Sequence, residues 1–509
     1  VSSPNDARRA GRGLLSIAGA KIYFIVTSYA VQLALPRIFG EPEEFGLYSA
    51  AMSGVAIFNN VLVVSTIQSV SKFVSEDEHQ ASATLRQGLK LQALLGGALA
   101  CLVFGLAPAV SRLLLDEQLT PLLQVASIAV LAYALYAALV GSLNGRHLFV
   151  KQARLDIGFS TFRTAGIVVG AALGFGAIGA VAGFATAAIA ILTLASLWVG
   201  WGEHGRSIAW KRWLTFLGPI WVYQVFLNGI LMIDLQVLKR TAAELALRDG
   251  AGVAAAADVA NQYVGYYRAA QTFAFVPYQL IIALTFIVFP MISRATSLGD
   301  RKLAQQTIRH ALRLSLLVLL LFAAPIAGTA DGVMRLAYPP DYAQGSDALR
   351  VLVFGVVAFA MFVVSATAVS GTGRPSIAAV IGGLALLAVV LAVRALIDQV
   401  GLGEHTLRAT ALGTSLGMVV ALLLSALALH LLLGAFVPAM TWLRSAVAGA
   451  MGYFVSSWIP HESAPMTLLA LSVGFSAAVA ALWLTRELKP EDWQVLRSVL
   501  GKEAQPERL

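Results

Sequence analysis

The chain has 509 residues, of which 58% are hydrophobic and 12% charged, with a mean hydropathy of +0.77. That balance excludes a soluble globular domain, in which about 25% of residues are charged. The net charge of +9 would suit nucleic acid or a membrane surface, and the single cysteine, Cys101, excludes a disulfide framework and a thiolate metal site.

Apolar runs of about 20 residues, long enough to cross a hydrocarbon core roughly 30 Å thick, recur from Leu14 to Thr485, and about fourteen can be counted. With no strand signal between them, each must satisfy its backbone amides internally, so the spans are helices. Spans one to six are placed at about 14–38, 46–70, 89–110, 122–143, 155–174 and 177–200. The first is longer than a signal-peptide core and shows no convincing cleavage site before Pro36-Arg37, so it reads as a retained helix. The link Gly174-Phe175-Gly176 is very short and forces spans five and six to be antiparallel neighbours. Span seven, at about 214–238, leads into the longest outer loop, Lys239 to Ala260, an Ala-rich stretch with room for a short surface helix. Span eight, about 261–291, is interrupted at Pro277 and stops near Phe289-Pro290. Spans nine to fourteen lie at about 309–330, 348–370, 375–398, 406–432, 442–459 and 466–485.

A phrase occurs twice. Gly46-Leu47-Tyr48-Ser49-Ala50-Ala51 returns as Gly265-Tyr266-Tyr267-Arg268-Ala269-Ala270, and Asn144-Gly145-Arg146 is echoed by Thr372-Gly373-Arg374. The order of the echoes reads as two related halves. The expected organisation is therefore an N-terminal six-helix lobe at 1–200, a cytoplasmic inter-lobe loop at 201–213 and a C-terminal six-helix lobe at 214–433. Two appended helices at 434–485 and a cytoplasmic amphipathic tail at 486–509 complete it. The fold class is an all-α polytopic membrane protein of about fourteen transmembrane helices, two pseudo-symmetric lobes plus the appended pair.

Basic residues such as Arg8, Lys72, Arg146, Lys211, Arg294 and Lys489 fall in alternate connections, whereas Glu41-Pro42-Glu43-Glu44 and Asp116-Glu117 mark the connections between them. By the positive-inside rule both termini lie in the cytoplasm. Most of the excess charge sets topology, which selects the membrane and leaves no reason to expect nucleic acid. No P-loop pattern occurs, so direct ATP drive has no support, and no pairing of nucleophile and base suggests an enzyme.

A charge at the bilayer centre costs about 2.5–3.5 kcal/mol on insertion scales, so charged residues inside spans face a cavity or a partner. The deep candidates are Lys21, Arg163, Asp234, Arg268, Arg313 and Arg394. Lys21 and Arg313 either reach a cavity or snorkel to the inner surface, Arg394 reads as an outer-end charge, and Arg163 and Arg268 are either cavity residues or anchors. A cavity lined by bases favours an anionic substrate, because guanidinium forks bind phosphate oxygens bidentately. Asp234 has Lys239 as the first base beyond it, five positions on and a poor helical pair, so it is open to a cation or proton or to an interhelical hydrogen bond. Gln32, Asn59, Asn60, Gln68, Gln224, Asn228, Asn261 and Gln271 lie on spans one, two, seven and eight, where they either line one central cavity or glue helices together.

Several motifs resemble the polysaccharide flippase branch of the multidrug/oligosaccharidyl-lipid/polysaccharide exporter superfamily. They are Phe45-Gly46-Leu47-Tyr48, Ser71-Lys72-Phe73-Val74-Ser75-Glu76, Ile233-Asp234, Gly265 to Ala270, Phe289-Pro290, Ser370 to Pro375 and the tail from Glu487 to Leu500. The resemblance implies two lobes facing each other as a V, with a cationic cavity that alternates between inward- and outward-open states. It implies a polyprenyl-diphosphate-linked sugar as substrate, moved to the outer leaflet of a bacterial plasma membrane, with Lys21, Lys72, Arg163 and Arg268 binding diphosphate. Asn59, Asn60, Gln224 and Asn228 would then meet sugar hydroxyls, and the appended helices would guide the lipid tail. Asp234 matches an acid that centres a sodium site in some relatives, which makes Na+ or H+ the candidate coupling ion, but span eleven lacks an interior acid, so the resemblance does not carry ion coupling over; no cofactor is expected. The implied partners are membrane lipids, a polysaccharide polymerase and glycosyltransferases, for a monomeric flippase. The alternatives are a cation-coupled multidrug antiporter, which normally needs carboxylates in its cavity, and a non-transporting membrane scaffold for glycan assembly.

Overall fold

The computed structural model describes residues 4–205, 208–281, 301–371 and 374–488. Fourteen long α-helices and one short one make up the described fold. The first half contains α1 (Pro4–Phe39), α2 (Pro42–Glu76), α3 (Ala81–Leu113), α4 (Leu119–Gly145), α5 (Phe149–Gly170), α6 (Gly176–Val199), α7 (Trp210–Arg248) and α8 (Val253–Ala274). The remainder is α9 (Arg301–Gly328), the short α10 (Ala330–Ala337), α11 (Ser346–Gly371), α12 (Pro375–Val400), α13 (Thr406–Leu433), α14 (Ala439–Trp458) and α15 (Ala464–Leu484). Among the described residues eleven segments are long and apolar enough to cross a membrane, and one of them, Phe149–Val199, contains both α5 and α6. The chain is a multi-pass membrane protein. The Phe289-Pro290 stop and the amphipathic tail beyond Leu488 lie outside the described residues.

Packing divides the chain into two compact units. One comprises Val1–Thr272, Ala337–Gly345 and Leu386–Gly413, and the other comprises Phe273–Leu336, Ser346–Ala385 and Thr414–Leu509. In the first unit α1 lies on α5, α2 on α4 and α7, and α4 on α3 and α6. In the second, α9 is the hub, contacted by α11, α14 and α15, and α14 pairs with α15.

Small residues set the closest helix contacts, as expected where lipid supplies no hydrophobic drive for helices to associate. On α5 and α6, Gly166 faces Gly183 and Gly170 faces Gly179; a β-carbon on Gly183 would stand 1.8 Å from the Gly166 carbonyl oxygen. The hairpin between them is a π-turn, Ala171–Phe175, whose left-handed positions fall on Gly174 (φ +83°) and, just beyond it, Gly176 (φ +58°). Glu44 of α2 closes this corner by accepting the Ala177 amide at 2.7 Å, a carboxylate on the N-terminus of α6.

The repeated phrase has a structural meaning. Its two leading glycines cross: a β-carbon on Gly46 would lie 1.7 Å from the Asn261 carbonyl oxygen, and one on Gly265 would lie 2.4 Å from that of Pro42. α2 and α8 therefore touch backbone to backbone where Tyr48, Tyr267 and Arg268 begin.

One boundary differs from the sequence reading. The Lys239 to Ala260 stretch is not a loop: α7 continues to Arg248, and α8 starts at Val253. Alanine is the best helix former, and Ala242, Ala243 and Ala246 all lie buried on this extension. Lys239 itself is paired inside the fold, as described below, so nothing forces the helix to end at its charge. The interruption expected at Pro277 falls two residues earlier, as a turn at Phe275, and Pro277 itself lies in helix.

Candidate functional site

Two arginines converge in the first unit. Arg163 of α5 donates from Nη2 to Ser28 Oγ of α1 at 2.5 Å, and its guanidinium lies 4.5 Å from the Phe24 ring centroid and 5.8 Å from that of Phe159. Its Nε is buried without a hydrogen-bond partner, and no carboxylate pairs with it among the described residues. Arg268 of α8 donates from Nη1 to Gln271 Oε1 at 3.2 Å and lies against Met232 Sδ at 4.0 Å. Both guanidinium groups are within electrostatic reach of the Tyr48 hydroxyl on α2. Tyr29 and Tyr338 lie in the same field of Arg268, and Tyr133 in that of Arg163. The result is a pair of half-buried cations with tyrosine hydroxyls in their field, Arg163 lying also against two phenylalanine rings.

Behind Arg268 sits Asp234, 1% exposed. Its Oδ2 accepts from Tyr267 Oη at 3.0 Å and from Gln271 Nε2 at 2.9 Å, and its Oδ1 accepts from the Leu235 amide at 2.9 Å. Tyr267 and Gln271 are four apart on α8, so one helix face delivers both donors. Both groups point N–H or O–H bonds at the carboxylate and so engage lone pairs of Oδ2. Among the described residues no cluster of three or more His, Cys, Asp or Glu side chains could hold a metal ion.

The other sequence candidates spread along the helices. Lys21 has a 60% exposed side chain and lies 3.8 Å from Asp156 on α5. Ser28 and Arg163 each stand seven residues further along their helices, so the Lys21–Asp156 pair lies about 10 Å away along the same seam. Tyr23–Thr161 at 3.0 Å and the Thr27–Ser160 hydroxyl pair fill the interval. Lys72 is 3.7 Å from Glu76 and 4.2 Å from the Phe216 ring centroid, and Arg212 shares Glu76 at 2.8 Å. Lys72 is twenty-four residues from Tyr48 on α2, about 36 Å along the helix, so it belongs to a different level. Asn60 donates to Asn228 Oδ1 at 3.2 Å, and Asn228 donates to the Gln224 carbonyl at 2.9 Å. Asn59 Oδ1 and Gln224 Oε1 are buried without partners among the described residues. Asn60 and Asn228 thus join α2 to α7 through a polar contact.

Arg313 and Arg394 are tied elsewhere. Arg313 donates from Nε to Glu487 Oε1 at 2.9 Å, and Arg394 pairs with Glu244 at 2.5 Å and Asp398 at 3.0 Å. Sequence reading missed the acids Asp116 and Asp156. Lys239 Nζ is 2.6 Å from Asp116 Oδ2 and also donates to Asn261 Oδ1, while Asn261 donates to Asp116 at 3.0 Å. Nothing local links positions 116 and 239, whereas Asp156, seven residues before Arg163, could have been found by counting helical turns.

This fold recurs among solved structures. A lipid II flippase, MurJ, in an inward closed conformation aligns with a TM-score of 0.74 at 15% identity, covering 92% of this chain and 99% of that one. An inward-facing multidrug resistance MATE transporter of the MOP superfamily aligns at 0.63 and 15% identity, covering 82% and 94%. A MOP superfamily transporter from Pyrococcus furiosus aligns at 0.59 and 15% identity, covering 86% and 96%. The protein is a multi-pass membrane protein with the fold that these transporters share. Residues 34–346, more than half of the chain, match the polysaccharide biosynthesis protein family, and the chain belongs to that family. Comparison with curated proteins finds no match by sequence.

Proposed function

We propose that the protein is an alternating-access flippase that moves a polyprenyl-diphosphate-linked oligosaccharide from the inner to the outer leaflet of a bacterial plasma membrane. It would serve surface polysaccharide or cell-wall synthesis, with both termini in the cytoplasm. The observation that carries the reading is the convergence of Arg163 and Arg268 on Tyr48, with Arg163 held by a serine and two aromatic rings and no acid. A guanidinium kept half-buried without a carboxylate costs free energy unless an anion completes it. A diphosphate offers acceptor oxygens for both forks, and the phenols of Tyr29, Tyr48 and Tyr338 can donate further bonds to it.

The remaining residues fit the rest of such a substrate. The amides of Asn59, Asn60, Gln224 and Asn228 supply donors and acceptors of the kind that sugar hydroxyls use. Lys72, about 36 Å from Tyr48 along α2, is suited to the entry side and not to the central site. The lipid tail would stay in the bilayer, and a glycosyltransferase and a polymerase would supply and consume the cargo. Membership of a polysaccharide biosynthesis family favours this cargo over a cationic drug, since the acid beside Arg268, Asp234, is already engaged by Tyr267 and Gln271.

The test is translocation of a labelled polyprenyl-diphosphate sugar in proteoliposomes. Arg163→Ala and Arg268→Ala are each expected to lower the rate at least about tenfold, as loss of one charge-assisted contact implies, while the protein remains folded. Unchanged rates in both variants would reject the reading.

A further inference from the structure

We infer that Asp234 is a positioning residue for the anion-binding Arg268, acting through Gln271. This rests on the flippase reading and assigns the buried acid a role other than ion binding. A side-chain amide is polar from one end to the other. Gln271 has one face of donors and one acceptor oxygen, and which face points where is decided by its neighbours. Here Nε2 meets Asp234 Oδ2 at 2.9 Å and Oε1 meets Arg268 Nη1 at 3.2 Å. A carboxylate accepts only, so it pulls the amide nitrogen toward itself and turns the oxygen to the arginine.

The rest of the shell reinforces the orientation. Tyr267 donates to the same Oδ2 at 3.0 Å, and the backbone amide of Leu235 holds Oδ1 at 2.9 Å, so the carboxylate is fixed from both sides. Asp234 and Gln271 are 1% and 0% exposed, which keeps water from substituting for any of these bonds. Arg268 and Gln271 are three residues apart on α8, so the bond between them also restricts the arginine's rotamer. One guanidinium edge is thereby held by Gln271, which leaves the remaining donors set in one direction for an anion. Supporting bonds of this kind around a binding group typically change affinity 10–100-fold when removed.

The positioning role and a simple charge effect predict opposite signs. Asp234 is an anion near the binding arginine, so removing its charge through Asp234→Asn would strengthen anion binding if only electrostatics mattered. If Asp234 orients Gln271, the same substitution weakens it, because an amide facing an amide fixes neither.

The experiment is titration calorimetry of the purified full chain with farnesyl diphosphate, with farnesol as the uncharged control and without sodium. Asp234→Asn and Gln271→Met are each expected to weaken diphosphate binding at least about tenfold and leave farnesol unaffected. The reciprocal pair Asp234→Asn/Gln271→Glu reverses the polarity of the relay: the new amide donates to the new carboxylate, whose other oxygen still accepts from Arg268. That pair is expected to recover affinity to within about threefold of the parent, which a loss of folding in the single variants would not allow. Binding by Asp234→Asn equal to or tighter than the parent, or a reciprocal pair no better than the singles, overturns the relay. Failure of the parent itself to distinguish diphosphate from farnesol overturns the flippase reading beneath it.

Discussion

Lys239 keeps its charge in a place with no water, 0% exposed, because Asp116 and Asn261 meet it there. A buried pair of this kind is costly to halve, because the surviving charge has no solvent to turn to. Lys239→Met or Asp116→Leu alone is expected to lower stability by about 3–5 kcal/mol, and the double substitution to recover most of it. Thermal unfolding in detergent micelles would show this as two depressed midpoints and one near the parent. Lys21 is the contrasting case, since its exposed pair with Asp156 at 3.8 Å is worth about 0–1 kcal/mol. Lys21→Ala is expected to leave both the unfolding midpoint and diphosphate binding close to the parent. Arg163→Ala is expected to abolish most diphosphate binding in the same titration.

Helices α2 and α8 meet through the glycines that begin the repeated phrase, and α5 and α6 through two facing pairs. In a lipid setting such contacts stand in for the hydrophobic effect, because close backbones gain dispersion energy. A methyl group at Gly46 or Gly183 must displace backbone atoms closer than 2 Å. Gly46→Ala and Gly183→Ala are therefore expected to cost at least about 1–3 kcal/mol each, the usual penalty of overpacking. Gly97→Ala is the control, with nothing within 4 Å of the added carbon, and should be neutral or slightly stabilising. Gly46→Ala should also disturb substrate handling, since it moves α8, and with it Arg268, relative to Tyr48.

The second unit carries its own clasp at the end of α15. Burial on its own raises the carboxyl of Glu487, but hydrogen bonds from Arg313, Arg444 and Thr441 outweigh it and hold the group below the usual glutamate range. Those bonds draw α9 and α14 onto the segment after α15. A depressed folded value means that the stabilisation is present above the unfolded value of about 4.3 and is lost as pH falls through the folded one. Limited proteolysis after α15 is expected to accelerate as pH drops through that window, and Glu487→Gln to make it fast and independent of pH across it. A parent protein cut at the same rate throughout would show that the clasp contributes nothing.

The number and type of spans, the membrane setting, the paired phrase and the interior cations were all legible in the chain, because each depends on residue type within a helical turn or a bilayer's thickness. Arg163 and Arg268 announced themselves by being charged where charge is expensive. What they face did not, because Tyr48 lies 115 positions from Arg163 and 220 from Arg268, and no local rule pairs such distances. The same holds for Lys239 with Asp116 and for Arg313 with Glu487: the sequence identified charges, and only the fold chose their partners. Asp234 shows the difference in one residue. Its depth followed from its neighbours in the chain, but whether it was open or engaged was decided by the face of α8 that packs against it. Burial makes a polar group's partners a matter of three-dimensional neighbours, and those neighbours come from tertiary packing.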